Sequence, residues 1–203
     1  MTNAGKLILS LCDFSGTWSQ PYVDAGYSVV RIDLGYAPGK QQVSDNVWHV
    51  GADLTEAEME WNPYGVLAAP SCCCFCRPGA RWWTRMDERG ETAQGVRLFE
   101  ACLRIAKTSS GWWALENPPG RHQKLMEIGK PSWHYGDPWS KQTYIWGTAQ
   151  KPPQTCFDPP PKLTYRTPNG HLQGRFSRMS SSWKREREKT PQGFSTAFFA
   201  VNR

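Results

Sequence analysis

Cys72 and Glu116 carry the chemistry that stands out first in this chain of 203 residues. Cys72 comes three residues after an apolar run, 64–69, with Pro70 turning the chain between them. A thiol at that point, in a basic protein, is expected to have its thiolate favoured by nearby cations and to act as a nucleophile. Glu116 and Asn117 close a second apolar run, 112–116, directly before Pro118-Pro119-Gly120. A carboxylate there is rarely wasted in a core. Two more pieces follow apolar runs. Cys12-Asp13-Phe14-Ser15-Gly16 offers a tight turn in which glycine lets backbone approach a ligand. Arg31-Ile32-Asp33-Leu34 offers an acid suited to ribose hydroxyls. Together they suit a nucleotide-like cofactor beside a thiol nucleophile, and an enzyme that adds a carbon group to a pyrimidine.

Each reading has a plainer rival. The full G-x-G-x-x-G pattern is absent, so phosphate binding is not supported. Asp33 could be an exposed loop acid. Asp53 could face an adenine amine, but Asp53-Leu54-Thr55 is also ordinary helix-start chemistry. Cys73-Cys74-Phe75-Cys76 has the C-x-x-C spacing of a zinc or redox motif. No second pair follows at suitable spacing, and a structural zinc wants four ligands. Small buried hydrophobe is the other reading of those three cysteines.

These pieces need a scaffold, and strand and helix signals alternate over the first two thirds of the chain. Residues 6–12, 27–33, 64–69 and 112–116 read as buried parallel strands, with a short one at 47–50. Residues 17–26 read as a helix stopped by Gly26, and Thr55-Glu56-Ala57-Glu58 as a capping box opening a brief helix. Val96, Phe99, Leu103 and Ala106 recur at helical spacing, which predicts an amphipathic helix over about 90–108. The rhythm predicts an α/β, open, doubly wound, mostly parallel sheet with helices on both faces. Prolines then multiply, and 147–190 reads as an irregular, basic, loop-rich segment apart from the strand 144–146 before it. Phe194, Ala197, Phe198 and Val201 predict a helix over 191–203 that packs back on the core formed by 1–146.

The chain carries 24 Lys and Arg against 18 Asp and Glu, and the excess falls late, around Arg166, Arg175, Arg178 and 184–189. A basic face favours a polyanion such as nucleic acid, although a merely solvated surface has the same composition. Eleven tryptophans are mostly core or groove filler, with any exposed indole beside an Arg able to stack on a base. Seven cysteines, four of them in 72–76, suit a reducing compartment better than a disulfide framework. No apolar run is long enough to span a membrane, and 7–11 reads as a strand rather than a signal peptide, so a cytoplasmic protein is expected.

The order of these pieces resembles the DNA (cytosine-5) methyltransferases, in particular their short, phage-type branch. Cys12 to Gly16 is similar to the cofactor-binding motif, and 65–72 and 79–83 to the motif holding the nucleophile. Leu115-Glu116-Asn117-Pro118 is similar to the Glu-Asn motif. Residues 135–146 look like the segment replacing the usual arginine-rich motif, and Thr190-Pro191-Gln192-Gly193-Phe194 like the closing motif. The resemblance implies an S-adenosylmethionine-dependent fold and S-adenosylmethionine as donor. Phe14, Ser15 and Gly16 would line its methionine end, Asp33 its ribose and Asp53 its adenine, with Asp13, Leu34 and Pro70 completing the pocket. Cys72 would be the nucleophile, Glu116 and Asn117 its partners at the base, and the substrate DNA, held by Arg81, Lys141, Arg175, Arg178, Lys184 and Arg185.

Departures are visible too. Ser71 stands where the family usually has a second Pro, and Trp18 where many members have Gly. The recognition region, limited to 147–190, is short. Low sequence specificity, or specificity from a partner protein, follows from that. So do three alternatives: a free nucleotide or single-stranded substrate, a donor carrying a larger group than methyl, or an inactive nucleic-acid-binding relative.

Overall fold

The computed structural model describes residues 3–57, 61–121, 131–139, 141–160, 164–166, 168–174 and 188–203. The predicted strands are present as β1 (Leu7–Leu11), β2 (Ser28–Ile32), β4 (Val47–Gly51), β5 (Gly65–Ala68), β6 (Trp112–Asn117) and β7 (Tyr144–Gly147). A strand not expected from the sequence, β3 (Gly39–Ser44), precedes β4 and pairs with it antiparallel. The sheet runs β3-β4-β2-β1-β5-β6-β7. Its five central strands are parallel, and β7 lies antiparallel against β6. This is an open, doubly wound, Rossmann-like sheet. Its order reverses between β1 and β5, and ligands of such sheets bind at the carboxyl ends flanking that switch.

Both faces are covered, which is why these strands read as continuous apolar runs. Ile8, Val29, Leu67 and Ala114 face an aromatic layer built on Trp18, Tyr22, Tyr27, Phe194 and Phe198. That layer comes from α1 (Gln20–Asp24), the turns on either side of it, and α4 (Gln192–Val201). Leu9, Val30, Val66, Ala68 and Leu115 face the other way, onto Ala101, Cys102, Ile105 and Ala106 of α3 (Glu91–Ala106).

Three expectations change. The helix expected over 17–26 is only α1, because residues up to Ser19 are held in turns by Asp13 and Arg31. Asp53, not Thr55, opens the following turn: its carbonyl accepts from the Glu56 and Ala57 amides, while Glu58 lies outside the described residues. Within the segment expected to be loop-rich, β8 (Thr164–Arg166) and β9 (Leu172–Gly174) pair as a small antiparallel hairpin. A 3-10 turn (Arg77–Trp82) and α2 (Trp83–Glu88) connect the loop after β5, which carries Cys72, to α3.

Candidate active site

The loops that leave β1, β5 and β6 converge at the carboxyl edge, and the backbone binds them together. The Ala69 amide continues the β5–β1 ladder onto the Leu11 carbonyl at 2.9 Å, delivering Pro70 and Cys72 beside the β1 turn. Asn117 donates through Nδ2 to the Pro70 carbonyl at 2.8 Å, tying the end of β6 to the loop that carries Cys72. Beyond it, the Arg121 amide donates to the Phe75 carbonyl at 2.9 Å and the Arg77 amide to the Pro119 carbonyl at 3.2 Å. Gly120 is required at this crossing: a β-carbon there would lie 1.9 Å from the Phe75 carbonyl oxygen. The sequence Pro118-Pro119-Gly120 is thus a splice between the two loops that carry Cys72 and Glu116.

Cys72, Glu116 and Lys141 meet in this splice. Glu116 is 4% exposed, and its Oε1 has no hydrogen-bond partner among the described residues. The Lys141 ammonium is 4.0 Å from that oxygen and donates to the Lys189 carbonyl at 3.2 Å. A buried acceptor left unsatisfied is costly and calls for a ligand donor. The Cys72 thiol is pushed well up from its ordinary value, by its hydrogen bond with Cys76, then by burial, by the charge of Cys76 and by the Glu116 carboxylate. Lys141 acts in the opposite direction. The environment therefore disfavours the Cys72 thiolate, against the expectation that nearby cations favour it: Cys76 lies one helical turn on, with its amide on the Cys72 carbonyl at 2.8 Å. Among the described residues no group of three or more His, Cys, Asp or Glu is placed to hold a metal ion.

The β1 turn is organised by a buried network. Asp13 accepts from the Ser10 hydroxyl at 2.9 Å, the Ser19 hydroxyl at 3.0 Å and the Ser19 amide at 3.2 Å. Burial raises its carboxyl, against those hydrogen bonds and the Arg31 charge. Arg31 donates to the Ser19 hydroxyl at 2.9 Å and to the Gln20 side chain at 2.9 Å. Gly16 has φ +69°, and a β-carbon on it would strike the Arg31 guanidinium at 2.3 Å. The glycine expected to admit a ligand thus makes room for Arg31 first. Asp13 is a structural hub of the turn, where the sequence placed it in a cofactor pocket.

Outside that network lie Phe14 and Leu34, 59% and 69% exposed, at the ends of β1 and β2. The Tyr36 hydroxyl donates to the Phe14 carbonyl at 2.9 Å, and its ring lies 5.1 Å from that of Phe14. Asp33 stands between these apolar groups, one carboxylate oxygen accepting from the Gly35 amide at 2.7 Å. Asp53 keeps Oδ1 on the Thr55 amide and hydroxyl, at 2.9 and 2.8 Å, hydrogen bonds that hold its carboxyl below the usual range. Ser15, Gly16 and Thr17 line a cleft of ≈540 Å³ together with Gln192 and Thr196. Trp18, expected to be a departure, is fully buried 5.5 Å from Phe198 and fastens this turn to α4. Asp137 caps α4, accepting from the Gly193 and Phe194 amides at 2.9 and 3.2 Å.

Of the expected nucleic-acid contacts, Arg175, Arg178, Lys184 and Arg185 lie outside the described residues. Arg81 is exposed, its guanidinium carbon 5.2 Å from the centre of the Trp82 ring. Lys141 stands beside Glu116 instead of on an open surface. Sequence reasoning missed that placement, along with Arg31, Tyr36, Gly120 and Asp137; only the Pro-Pro-Gly run hinted at one of them. No helix among the described residues is long and apolar enough to cross a membrane.

No family model and no curated protein matches the chain. Solved structures do. A ribosomal RNA methyltransferase from Plasmodium falciparum is similar at TM-score 0.43 and 13% identity, over 71% of this chain and 86% of that one. The glycopeptide N-methyltransferase MtfA with S-adenosyl-L-methionine is similar at TM-score 0.35 and 15% identity, over 73% of this chain and 60% of that one. With S-adenosyl-L-homocysteine the values are 0.33 and 16%, over 71% and 57%. The fold of this chain rests on its own strand order.

Proposed function

We propose that this chain is an S-adenosylmethionine-dependent methyltransferase that modifies carbon 5 of cytosine in DNA through a Cys72 adduct. The observation that carries the reading is the buried Glu116 carboxylate beside Lys141, close enough to the Cys72 sulfur to act on its ionisation. The residues at the sheet edge fit the donor. Phe14 and Leu34 offer apolar faces to adenine and Asp33 a carboxylate to ribose hydroxyls, and Ser15, Thr17, Gln192 and Thr196 give polar lining for an amino-acid end. When bound, the donor supplies an electrophilic methyl group.

Everything else falls to the protein. Cytosine carbon 5 is too weak a nucleophile until a sulfur adds at carbon 6. Cys72 must lose its proton as its sulfur forms that bond, and Lys141 is the cation that favours the ionised sulfur. The Glu116 carboxylate takes the proton that Cys72 gives up and hands it to the ring nitrogen, so the electron pair displaced by the new carbon–sulfur bond ends at carbon 5. Asn117 holds the Pro70 carbonyl and with it the angle of the nucleophile loop. After methyl transfer water takes the carbon 5 proton, the carbon–hydrogen pair restores the ring double bond as the carbon–sulfur bond breaks onto sulfur, and the ring-nitrogen proton returns through Glu116 to Cys72. In a duplex the base is first flipped from the stack. Phosphate contacts come from Arg81 and from Arg175, Arg178, Lys184 and Arg185. The short segment 147–190 leaves sequence choice to a partner protein.

The test is incubation with labelled S-adenosylmethionine and mixed DNA, followed by nucleoside mass spectrometry. 5-Methylcytosine from wild type and none from Cys72→Ser is the expected result. Donor binding by Cys72→Ser without loss is the companion measurement. Product from Cys72→Ser removes the adduct from the mechanism, and another methylated nucleoside replaces the substrate.

A further inference from the structure

We infer that Arg81, Trp82, Arg85 and Arg89 form a ridge that binds an unpaired nucleic-acid strand and feeds its base to Cys72. The inference rests on the reading of the chain as a nucleic-acid enzyme, and it names which form of the substrate enters and where. Arg81 lies in the 3-10 turn, Arg85 in α2 and Arg89 just past its end, so the three cations follow one another along one short run of chain. All three are exposed, and Trp82 between them is 45% exposed. The Arg81 guanidinium carbon lies 5.2 Å from the centre of its ring. An open indole flanked by cations fits a stacked base on a charged backbone. A paired base has no free face for it, so the occupant is a single strand.

The ridge is held in place relative to the chemistry. Arg121 follows Gly120 at the splice between the Cys72 and Glu116 loops. Its guanidinium grips Asp87 of α2 at 2.7 and 3.0 Å, and lies 4.4 Å from the Trp83 ring centre. Asp87 also accepts from the Thr92 hydroxyl, so this exposed acid is already paired within the protein. The Arg89 to Glu91 contact, 3.7 Å and exposed on both sides, is weak enough to yield to a polyanion. The ridge begins nine residues after Cys72 and turns its positive side outward.

Fluorescence anisotropy with a labelled 20-nucleotide unpaired DNA and its duplex, over a salt series, tests this on the full-length protein. Wild type should bind the unpaired probe more tightly. The variant Arg81→Ala/Arg85→Ala/Arg89→Ala should bind at least about tenfold more weakly, with the log–log salt slope shallower by about 2. Trp82→Ala should lose at least about fivefold on the unpaired probe and nothing on the duplex. Arg104→Ala/Lys107→Ala, on the exposed side of α3 and its end, should match wild type. Unchanged melting temperature separates lost contacts from misfolding; if the triple variant melts early, Arg→Gln replacements are read instead. Wild-type affinity and slope in the triple variant, an unaffected Trp82→Ala, or a wild-type preference for duplex overturns the ridge. Ridge variants that bind normally while 5-methylcytosine still forms sink this inference alone. Ridge-dependent binding with no methylated product from wild type sinks the proposed reaction and leaves the surface standing.

Discussion

Gly120→Ala is the sharpest test of how the active site is assembled. The added carbon would lie 1.9 Å from the Phe75 carbonyl oxygen, 2.5 Å from its carbon and 3.1 Å from the Cys76 α-carbon. All three are backbone atoms, so no side chain can swing aside. To restore even 3.0 Å, the loops carrying Cys72 and Glu116 must part by about 1 Å. A misplacement of that size costs roughly 100-fold in rate when it separates catalytic groups. Parting also strains two backbone hydrogen bonds, Arg121 to Phe75 and Arg77 to Pro119, together worth about 2 kcal/mol. For a domain of this size that is about 6 °C in melting temperature. Single-turnover transfer from labelled donor should fall by two orders of magnitude, while donor affinity by calorimetry holds, since Phe14 and Asp33 lie on other loops. A folded Gly120→Ala protein with the wild-type rate would refute the claim that this crossing sets the Cys72–Glu116 geometry.

The remaining predictions concern the thiol, the buried network and the apolar edge. Iodoacetamide should alkylate exposed Cys73 far faster than Cys72 at pH 8, by peptide mass spectrometry, and Lys141→Ala should slow Cys72 further because the one favouring cation is gone. Arg31→Ala strips its bonds to Ser19 and Gln20 and leaves Asp13 buried without its nearby cation; a loss of roughly 3 kcal/mol, read by urea unfolding, is expected. Burial raises the Asp13 carboxyl in the folded state, so its contribution is full at low pH and declines as pH rises through that raised value. Asp13→Asn should therefore gain on wild type as pH rises, in paired melting curves. Phe14→Ala and Leu34→Ala should each weaken donor binding about tenfold by calorimetry, without unfolding, because both side chains stand mostly in solvent.

The parallel core was legible because strands buried on both faces must be apolar throughout, and runs such as 64–69 and 112–116 have no other reading. Elements whose existence depends on pairing were not. Gly39-Lys40-Gln41-Gln42-Val43-Ser44 is exposed along its length and becomes β3 only through β4. Cys72 and Glu116 were legible as residues at strand ends, but their electrostatics were not. Cys72 is dominated by Cys76, four residues on, a distance that matters only once the chain turns helically there. Lys141 reads as a surface cation. The antiparallel register that sets Asn117 opposite Tyr144 carries it past the end of β6 to Glu116. Asp53 read both ways, and its Oδ1 belongs to the turn it opens.

The aromatic layer has a bearing on how the chain is made. Residues 7–147 supply every strand of the large sheet, yet one of its faces waits for Phe194 and Phe198 to cover Trp18 and Trp112. Asn202 then locks the arrangement, exchanging hydrogen bonds with Gln150 and receiving the Tyr22 hydroxyl on its carbonyl. During synthesis the nascent sheet must therefore wait, one side greasy and open, until the ribosome has released Asn202. Chaperone demand should peak in that interval, and a stall shortly before residue 192 should yield an aggregating intermediate instead of a folded core.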